Sequence, residues 1–464
     1  MYQINFNRPC KVHFIGIGGI SMSGLADILL DRGFSVSGSD SKASALTEKL
    51  SEAGAEVTIG QRAENIGDAE VVVYTAAIHE DNPELAEARR RGIPLMTRAE
   101  LLGELMLNYR EAVNVAGTHG KTTTTSMITQ ILLEAGADPT VSVGGILKSI
   151  GGNIRIGSSG TFVAEACEYC NSFLSFYPTL SIVLNVEADH LDFFRDIDDI
   201  RHSFREFIRR LPQDGRGFLV INGDIQHVEY FLDGLKCRYV TFGKSPAYDY
   251  AAGDITYDEK ACASYTLLKN GKEAGRVQLS VPGQHNVYNS LAAIAAAERL
   301  GVDTSSAIRS LVHYTGTDRR FQIRGNVNGW TVIDDYAHHP QEITATLKAA
   351  QLYPHKKLYV VFQPHTYSRT KALMNDFANA LMLCDEVIVA DIYAAREVNT
   401  CGVSSEDLSR RINQIGGSAL FLPDFEKIKN YVTEKLLPGD VLITMGAGNV
   451  TELADLLTAD QLST

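Results

Sequence analysis

Residues 113–125 read VNVAGTHGKTTTT, and the residue types follow one another as a bound nucleotide phosphate requires. An apolar run at Val113, Val115 and Ala116 enters the turn Gly117-Thr118-His119-Gly120, then comes Lys121, then hydroxyls at Thr122 and Thr123. Glycines let backbone N–H groups converge on phosphate oxygens, and a helix start adds partial positive charge. Lysine reaches a terminal phosphate while a hydroxyl holds Mg2+. The general GxxxxGK[ST] loop would need glycine at Val115, so this is a contracted form, with its helix expected over 126–135.

Other residues could share that chemistry. Glu165 ends an apolar strand expected at 161–164, and His190 follows another at 180–184. Carboxylate and imidazole at the ends of parallel strands suit Mg2+ and phosphate. From the residues alone, a helix cap at Glu165 and a surface histidine at His190 fit equally well. Asn286 and Asn289, at i and i+3 near the start of an alanine-rich helix reaching Leu300, could read an adenine edge; capping is the simpler reading.

A second phosphate-type turn, Gly16-Ile17-Gly18-Gly19-Ile20-Ser21, follows a strand expected over 10–17, with Ser21 where a third glycine usually sits. Asp40 lies about twenty residues on, where a ribose-binding carboxylate is expected. Alone, this turn fits a nicotinamide-dependent oxidoreductase. With a second phosphate loop downstream, it favours a chain that brings two phosphorylated molecules together. In the last third, strands expected at 330–334, 357–362, 387–390 and 440–444 run into polar or glycine-rich loops, which hold Asp335, Tyr336, His338, His365 and Arg369 among others. That edge is where ligands bind in open α/β sheets. No acid or cysteine completes a zinc tetrahedron around His338, His339 and His365, which favours hydrogen bonding to substrate.

The elements that must position these residues alternate β and α, so the sheets are expected to be parallel. At 464 residues the chain has room for about three domains. The expected fold is α/β with three domains: a Rossmann-like N-terminal domain (1–108), a central P-loop ATPase-type domain with a small antiparallel addition at 254–281 (109–314), and a Rossmann-like C-terminal domain (315–464). Residues 143–160 read as a glycine-rich segment, 192–210 as a charged amphipathic helix and 315–321 as a linker. The formal charge of 43 − 56 = −13 argues against general nucleic-acid binding. No run approaches the ~18 apolar residues of a membrane span, and no signal peptide opens the chain, so a cytoplasmic protein is expected. The seven scattered cysteines, with one CxxC at Cys167 and Cys170, read as thiols and not as a disulfide or zinc framework.

Taken in order, GIGGISMSGLA, GSD, AGTHGKTTT, EACEY with NSF, NVEADHLD, PGQHNVYN, GTDRRF, DDYAHHP, QPHTYSRT and GAGN resemble the Mur ligases almost end to end. The resemblance implies a UDP-binding domain, a central ATPase domain and a C-terminal domain that closes over the site. It implies ATP-dependent joining of L-alanine to the carboxylate of UDP-N-acetylmuramate through an acyl phosphate, with ATP and Mg2+ required. By it, Gly117, Thr118, His119, Gly120, Lys121, Thr122 and Thr123 cradle ATP, Thr122 and Glu165 hold one Mg2+, and His190 helps hold a second. Arg320 meets the γ-phosphate, while His285, Asn286, Asn289 and Asp335 lie on the nucleotide side. Ser172, Tyr336, His338, His365 and Arg369 line the muramoyl and alanine site, and Gly16, Gly18, Gly19, Ser21 and Asp40 receive UDP. Lys121, His190, Arg320 and Arg369 are the implied catalytic residues.

Two features qualify the match. Thr366 stands where the family often has arginine. The helix expected at 201–209 lacks the lysine that related ligases adding later residues carbamylate, which favours the alanine-adding type over them; a sister enzyme that attaches a tripeptide stays open. Outside the family, the residues leave open an oxidoreductase or a non-catalytic UDP-sugar binder. Nothing in the sequence fixes the oligomeric state.

Overall fold

The computed structural model describes residues 2–75, 78–191, 193–395 and 397–459. Among them, three sheets follow one another along the chain. The first has five parallel strands in the spatial order Glu56–Ile59, Ser35–Asp40, Lys11–Ile15, Val71–Tyr74 and Leu95–Thr97. Val71, Val72 and Val73 are fully buried, as expected of parallel strands covered on both faces.

The central sheet has ten strands. Its parallel core places Glu111–Ala116 between Leu180–Val183 and Thr161–Ala166. At one end, Tyr250–Tyr257, Cys262–Lys269 and Lys272–Pro282 pair antiparallel, in keeping with the antiparallel addition expected at 254–281. At the other end the glycine-rich segment 143–160 takes part in two strands, Thr140–Leu147 and Gly152–Arg155, paired antiparallel. Gly144 is small for a local reason: a Cβ there would lie 2.8 Å from Glu165 Oε2.

The phosphate-loop helix also differs, running Lys121–Glu134 and so starting at the loop itself. Consecutive threonines are weak helix formers. Here Gly120, at φ +85°, sets the first turn, and the buried faces of Met127, Ile128, Ile131 and Leu132 hold the rest. The amphipathic helix is Ile197–Arg209, capped by Asp196, whose side chain accepts from the N–H groups of Asp198 and Asp199; Asp192 lies outside the described residues.

The third sheet runs Gln322–Val327, Trp330–Asp335, Val441–Met445, Leu358–Phe362, Glu386–Val389 and Ala419–Phe421. Only its first pair is antiparallel. No helix among the described residues is long and apolar enough to cross a membrane.

Candidate active site

The phosphate loop is held before any ligand meets it. Asn185 grips its centre from both sides: the His119 N–H donates to Asn185 Oδ1 at 2.7 Å, and Asn185 Nδ2 donates to the His119 carbonyl at 3.0 Å. The Thr118 N–H donates to the Asn185 carbonyl at 3.3 Å, and Thr118 Oγ1 accepts from the Glu187 N–H at 3.0 Å. Two loop amides are thus committed to shaping the turn. The N–H groups of Lys121, Thr122 and Thr123 start the helix, where no intrahelical acceptor exists, and they remain for an anion. Gly117, at φ +147°, would drive a Cβ to 2.9 Å from Leu184 Cβ.

Lys121 Nζ donates to the carbonyls of Gly117 and Thr118 and to the Glu168 carboxylate, 3.0 Å from Oε2. Burial works against this ammonium, but the charge of Glu168 outweighs it and raises the lysine pKa. Glu168 is 2% exposed, and its Oε1 also stands 4.0 Å from His190 Nε2. His190 holds φ +53° and packs its ring 4.6 Å from that of Tyr169.

Thr122 Oγ1 donates to Glu165 Oε2 at 3.1 Å, and the Gly144 N–H meets the other Glu165 oxygen. Burial lifts the Glu165 carboxyl above its ordinary value, a penalty that a bound cation would relieve. A hydroxyl and a carboxylate in contact are the hard-oxygen donors Mg2+ takes, with phosphate and water completing its shell. Among the described residues no group of three or more His, Cys, Asp or Glu is arranged to hold a metal ion by itself; two protein oxygens suit an ion shared with a substrate. His190 keeps company with Glu168 and with Asp189, 3.8 Å away.

Beside the loop, a cavity of about 990 Å3 lies between the central and C-terminal domains. It is lined by His119, Gly120, Thr123, His285, Asn286, Asn289, Arg320 and Asp335, all of them expected on the nucleotide side, with Tyr257, Tyr288 and Leu352 offering apolar surface. Asn289 Nδ2 donates to Asn286 Oδ1 at 2.9 Å, and Asn286 Nδ2 to the Pro282 carbonyl at 2.8 Å. Both side chains therefore brace the helix start and still face the cavity. Asp335 accepts from the N–H groups of Phe321 and Ala337, and burial pushes its carboxyl up to about 6 despite nearby Arg320. Burial, then Arg320, brings His285 down to about 4.

The C-terminal residues form an arc toward His190. The Arg320 guanidinium lies 5.2 Å from the Tyr336 ring centre, Tyr336 is 5.4 Å from His338, and His338 is 5.8 Å from His365. Arg369 Nη1 donates to His365 Nδ1 at 3.2 Å, and its Nη2 stands 3.6 Å from Asp189 Oδ1 across the domain boundary. Burial holds both His338 and His365 down at about 4, so near neutral pH they are uncharged and the cations of the arc are Arg320 and Arg369 at its two ends. Ser172 donates to the Tyr169 carbonyl at 2.8 Å, in a turn where Cys170 and Asn171 take positive φ. All seven cysteines are free thiols, and burial raises that of Cys167.

The N-terminal loop forms a separate rim. The Gly16 and Ile17 N–H groups donate to the Ser39 carbonyl at 2.8 and 3.0 Å, and the Gly18 N–H to Asp40 Oδ2 at 2.9 Å. One Asp40 oxygen therefore shapes the turn it was expected to complement. Gly19 and Ser21 are exposed at the start of the helix Ile20–Asp31, which has no side-chain cap.

Residues that sequence reasoning did not single out are Glu168, Asn185, Asp189 and Glu342. Each lies within five residues of one that was chosen, in EACEY, NVEADH or HHPQE. The available signal was a charged or amide neighbour inside a motif.

Three family descriptions match the chain in order: Mur ligase family, catalytic domain, over 11–110; Mur ligase middle domain over 115–297; and Mur ligase, glutamate ligase domain, over 319–448. The chain belongs to the Mur ligase family. It is 58% identical to the UDP-N-acetylmuramate--L-alanine ligase of Lachnospira eligens, over 98% of this chain and 99% of that one. Among solved structures it is similar to the UDP-N-acetylmuramate-alanine ligase of Thermotoga maritima, with a TM-score of 0.81, 30% identity, and 98% and 99% coverage. It is also similar to the murein peptide ligase mpl of Psychrobacter arcticus, with a TM-score of 0.70, 25% identity, and 97% and 98% coverage.

Proposed function

We propose that this protein joins L-alanine to the carboxylate of UDP-N-acetylmuramate at the expense of ATP, a step in bacterial peptidoglycan precursor synthesis. The observation that carries the reading is full-length identity of 58% to an enzyme so named. The site geometry suits the chemistry. The muramoyl carboxylate attacks the γ-phosphorus, the bond to ADP breaks, and an acyl phosphate forms. The amine then attacks the acyl carbon, and phosphate leaves from the tetrahedral intermediate.

Such a reaction needs positioning and charge neutralisation more than covalent help from the protein. Lys121 and the helix-start amides would take the phosphates, and Arg320 the γ-phosphate from the C-terminal side. Asn286, Asn289, His285 and Asp335 would face the nucleotide. Thr122 and Glu165 would hold a Mg2+ ion, which would screen phosphate charge; His190 beside Glu168 would approach a second. Arg369 would pair with the amino-acid carboxylate, with neutral His338 and His365 as hydrogen-bonding neighbours and Ser172 and Tyr336 flanking the muramoyl group. The exposed start of the helix Ile20–Asp31, with Gly16, Gly18, Gly19, Ser21 and Asp40 forming or bracing its loop, would receive the UDP diphosphate. We assign UDP binding to residues 1–108, ATP binding to 109–314 and closure to 315–464, and place the enzyme in the cytoplasm.

The test is phosphate release by purified protein with UDP-N-acetylmuramate, ATP and Mg2+ across a panel of amino acids and a muramyl-type tripeptide. Alanine-dependent release is expected. No acceptor-dependent release, or a preference for the tripeptide, overturns the proposal.

A further inference from the structure

Glu342 sits in the first turn of the helix Pro340–Leu352, yet its carboxylate acts mainly outside that helix. Oε1 stands 3.3 Å from His119 Nδ1 in the phosphate loop and 3.8 Å from Arg320 Nη1 on the connection between domains. Oε2 accepts from the His338 N–H at 3.1 Å and lies 3.3 Å from that residue's Nδ1. One carboxylate, its side chain 13% exposed, therefore touches the nucleotide loop, the γ-phosphate arginine and the acceptor-side histidine.

We infer that Glu342 is a positioning residue that latches the C-terminal domain onto the phosphate loop and brings Arg320 and His338 into register with Lys121. The kinetic part of this inference rests on the ligase reading; the closure part does not. A local capping role would need only the bond to the His338 backbone. Neighbouring residues point the same way across the boundary. Gln341 Oε1 is 3.2 Å from His119 Nε2, and the His339 ring is 5.1 Å from the His119 ring. Burial disfavours charge on His119, but Glu187 and Glu342 outweigh it and push the imidazole up to about 10, so the contact joins two full charges. In a largely water-excluded setting such a pair constrains geometry more than a surface pair does. Domains in one chain move relative to one another unless their interface holds them, and acyl-phosphate chemistry needs the reacting groups brought within contact distance.

The test uses the full chain with Glu342→Gln, which keeps the shape and the acceptor for the His338 N–H while removing the charge. Paired spin labels on the central and C-terminal domains report closure with Mg2+ and a non-hydrolysable ATP analogue. The variant is expected to shift the distance distribution toward longer separations and lower kcat by roughly tenfold or more, the scale on which a buried charge partner matters. Because Glu187, 3.5 Å from His119 Nε2, still partners the imidazole, the melting temperature should stay within a few degrees of wild type, and KM for the amino acid should rise more than KM for the UDP substrate. A wild-type distance distribution in Glu342→Gln overturns the latch even if kcat falls. So does tighter ATP binding with undiminished turnover, which would make the carboxylate a stand-in for phosphate. If wild type shows no acceptor-dependent turnover, the ligase reading fails and the distance measurement still decides the latch.

Discussion

Replacing Lys121 with methionine should cost this protein stability as well as activity, because of Glu168. The lysine side chain is 16% exposed and the glutamate 3%, with 3.0 Å between Nζ and Oε2. Removing one partner of a buried pair leaves the other charged and poorly solvated, at a cost of ~3 kcal/mol. His190, 4.0 Å from Glu168, compensates only in part. For a domain of roughly 200 residues, that loss lowers Tm by roughly 6–12 °C. Turnover should fall roughly 100-fold or more, as when a fixed electrostatic stabiliser is removed from a developing phosphate charge.

The two effects separate in a double variant. In Lys121→Met/Glu168→Gln the orphaned carboxylate is gone, so Tm should recover most of the loss while turnover stays low. Scanning calorimetry at pH 7 with parallel phosphate-release assays reads both. Unchanged Tm in the single variant, or no recovery in the double one, would refute the pairing; turnover within tenfold of wild type would refute the role of Lys121.

His338 and His365 should titrate near pH 4, where burial holds them, and not near 6.5. A histidine with a depressed folded pKa contributes stability above its unfolded value that is lost as pH falls through the folded one. His365→Gln should therefore flatten the decline of Tm between about pH 6.5 and 4, and imidazole resonances shifting near pH 6.5 would contradict both statements. Gly24→Ala should disturb the seat of the N-terminal domain, since its Cβ would fall 2.1 Å from Ile154 Cγ1 on the central sheet. Overpacking of that kind costs ~1–3 kcal/mol, with a higher KM for the UDP substrate and partial rescue by Ile154→Ala; a neutral Gly24→Ala sinks the argument. Thr122→Val, which keeps the shape and deletes the hydroxyl beside Glu165, should raise the Mg2+ concentration for half-maximal activity by roughly tenfold. An unchanged Mg2+ titration at saturating ATP would remove Thr122 from the metal site.

What could be read in advance was whatever is local in the chain. The contracted loop at 117–121, the glycine turn at 16–21 and the apolar strands before them carry their geometry in consecutive residues, and the structure places them where the pattern says. Misread elements have local causes too. Gly144 and Gly145 hid the strand Thr140–Leu147 inside a glycine-rich segment, although Gly144 is small so that Glu165 can lie against it. Four threonines after Lys121 masked a helix whose start is set by Gly120. The strand Gln322–Val327 was missed because, at the sheet edge, its residues are exposed or half-buried and Gly325 breaks the alternation.

The site residues that escaped notice share a different property: each completes a pair whose other half is distant in sequence. Glu168 meets Lys121 across 47 positions, and Glu342 meets His119 across a domain boundary. An acid beside a motif is chemically ambiguous until its partner is known, since a solvated carboxylate and a buried counter-ion look alike in one dimension. The phosphate loop was legible because one ligand, phosphate, dictates all its parts at once. The charges that stabilise Lys121 and His119 were not, because the fold supplies them from three other segments, those of Glu168, Glu187 and Glu342, and only the parallel order of the central and C-terminal sheets brings those segments to the same edge.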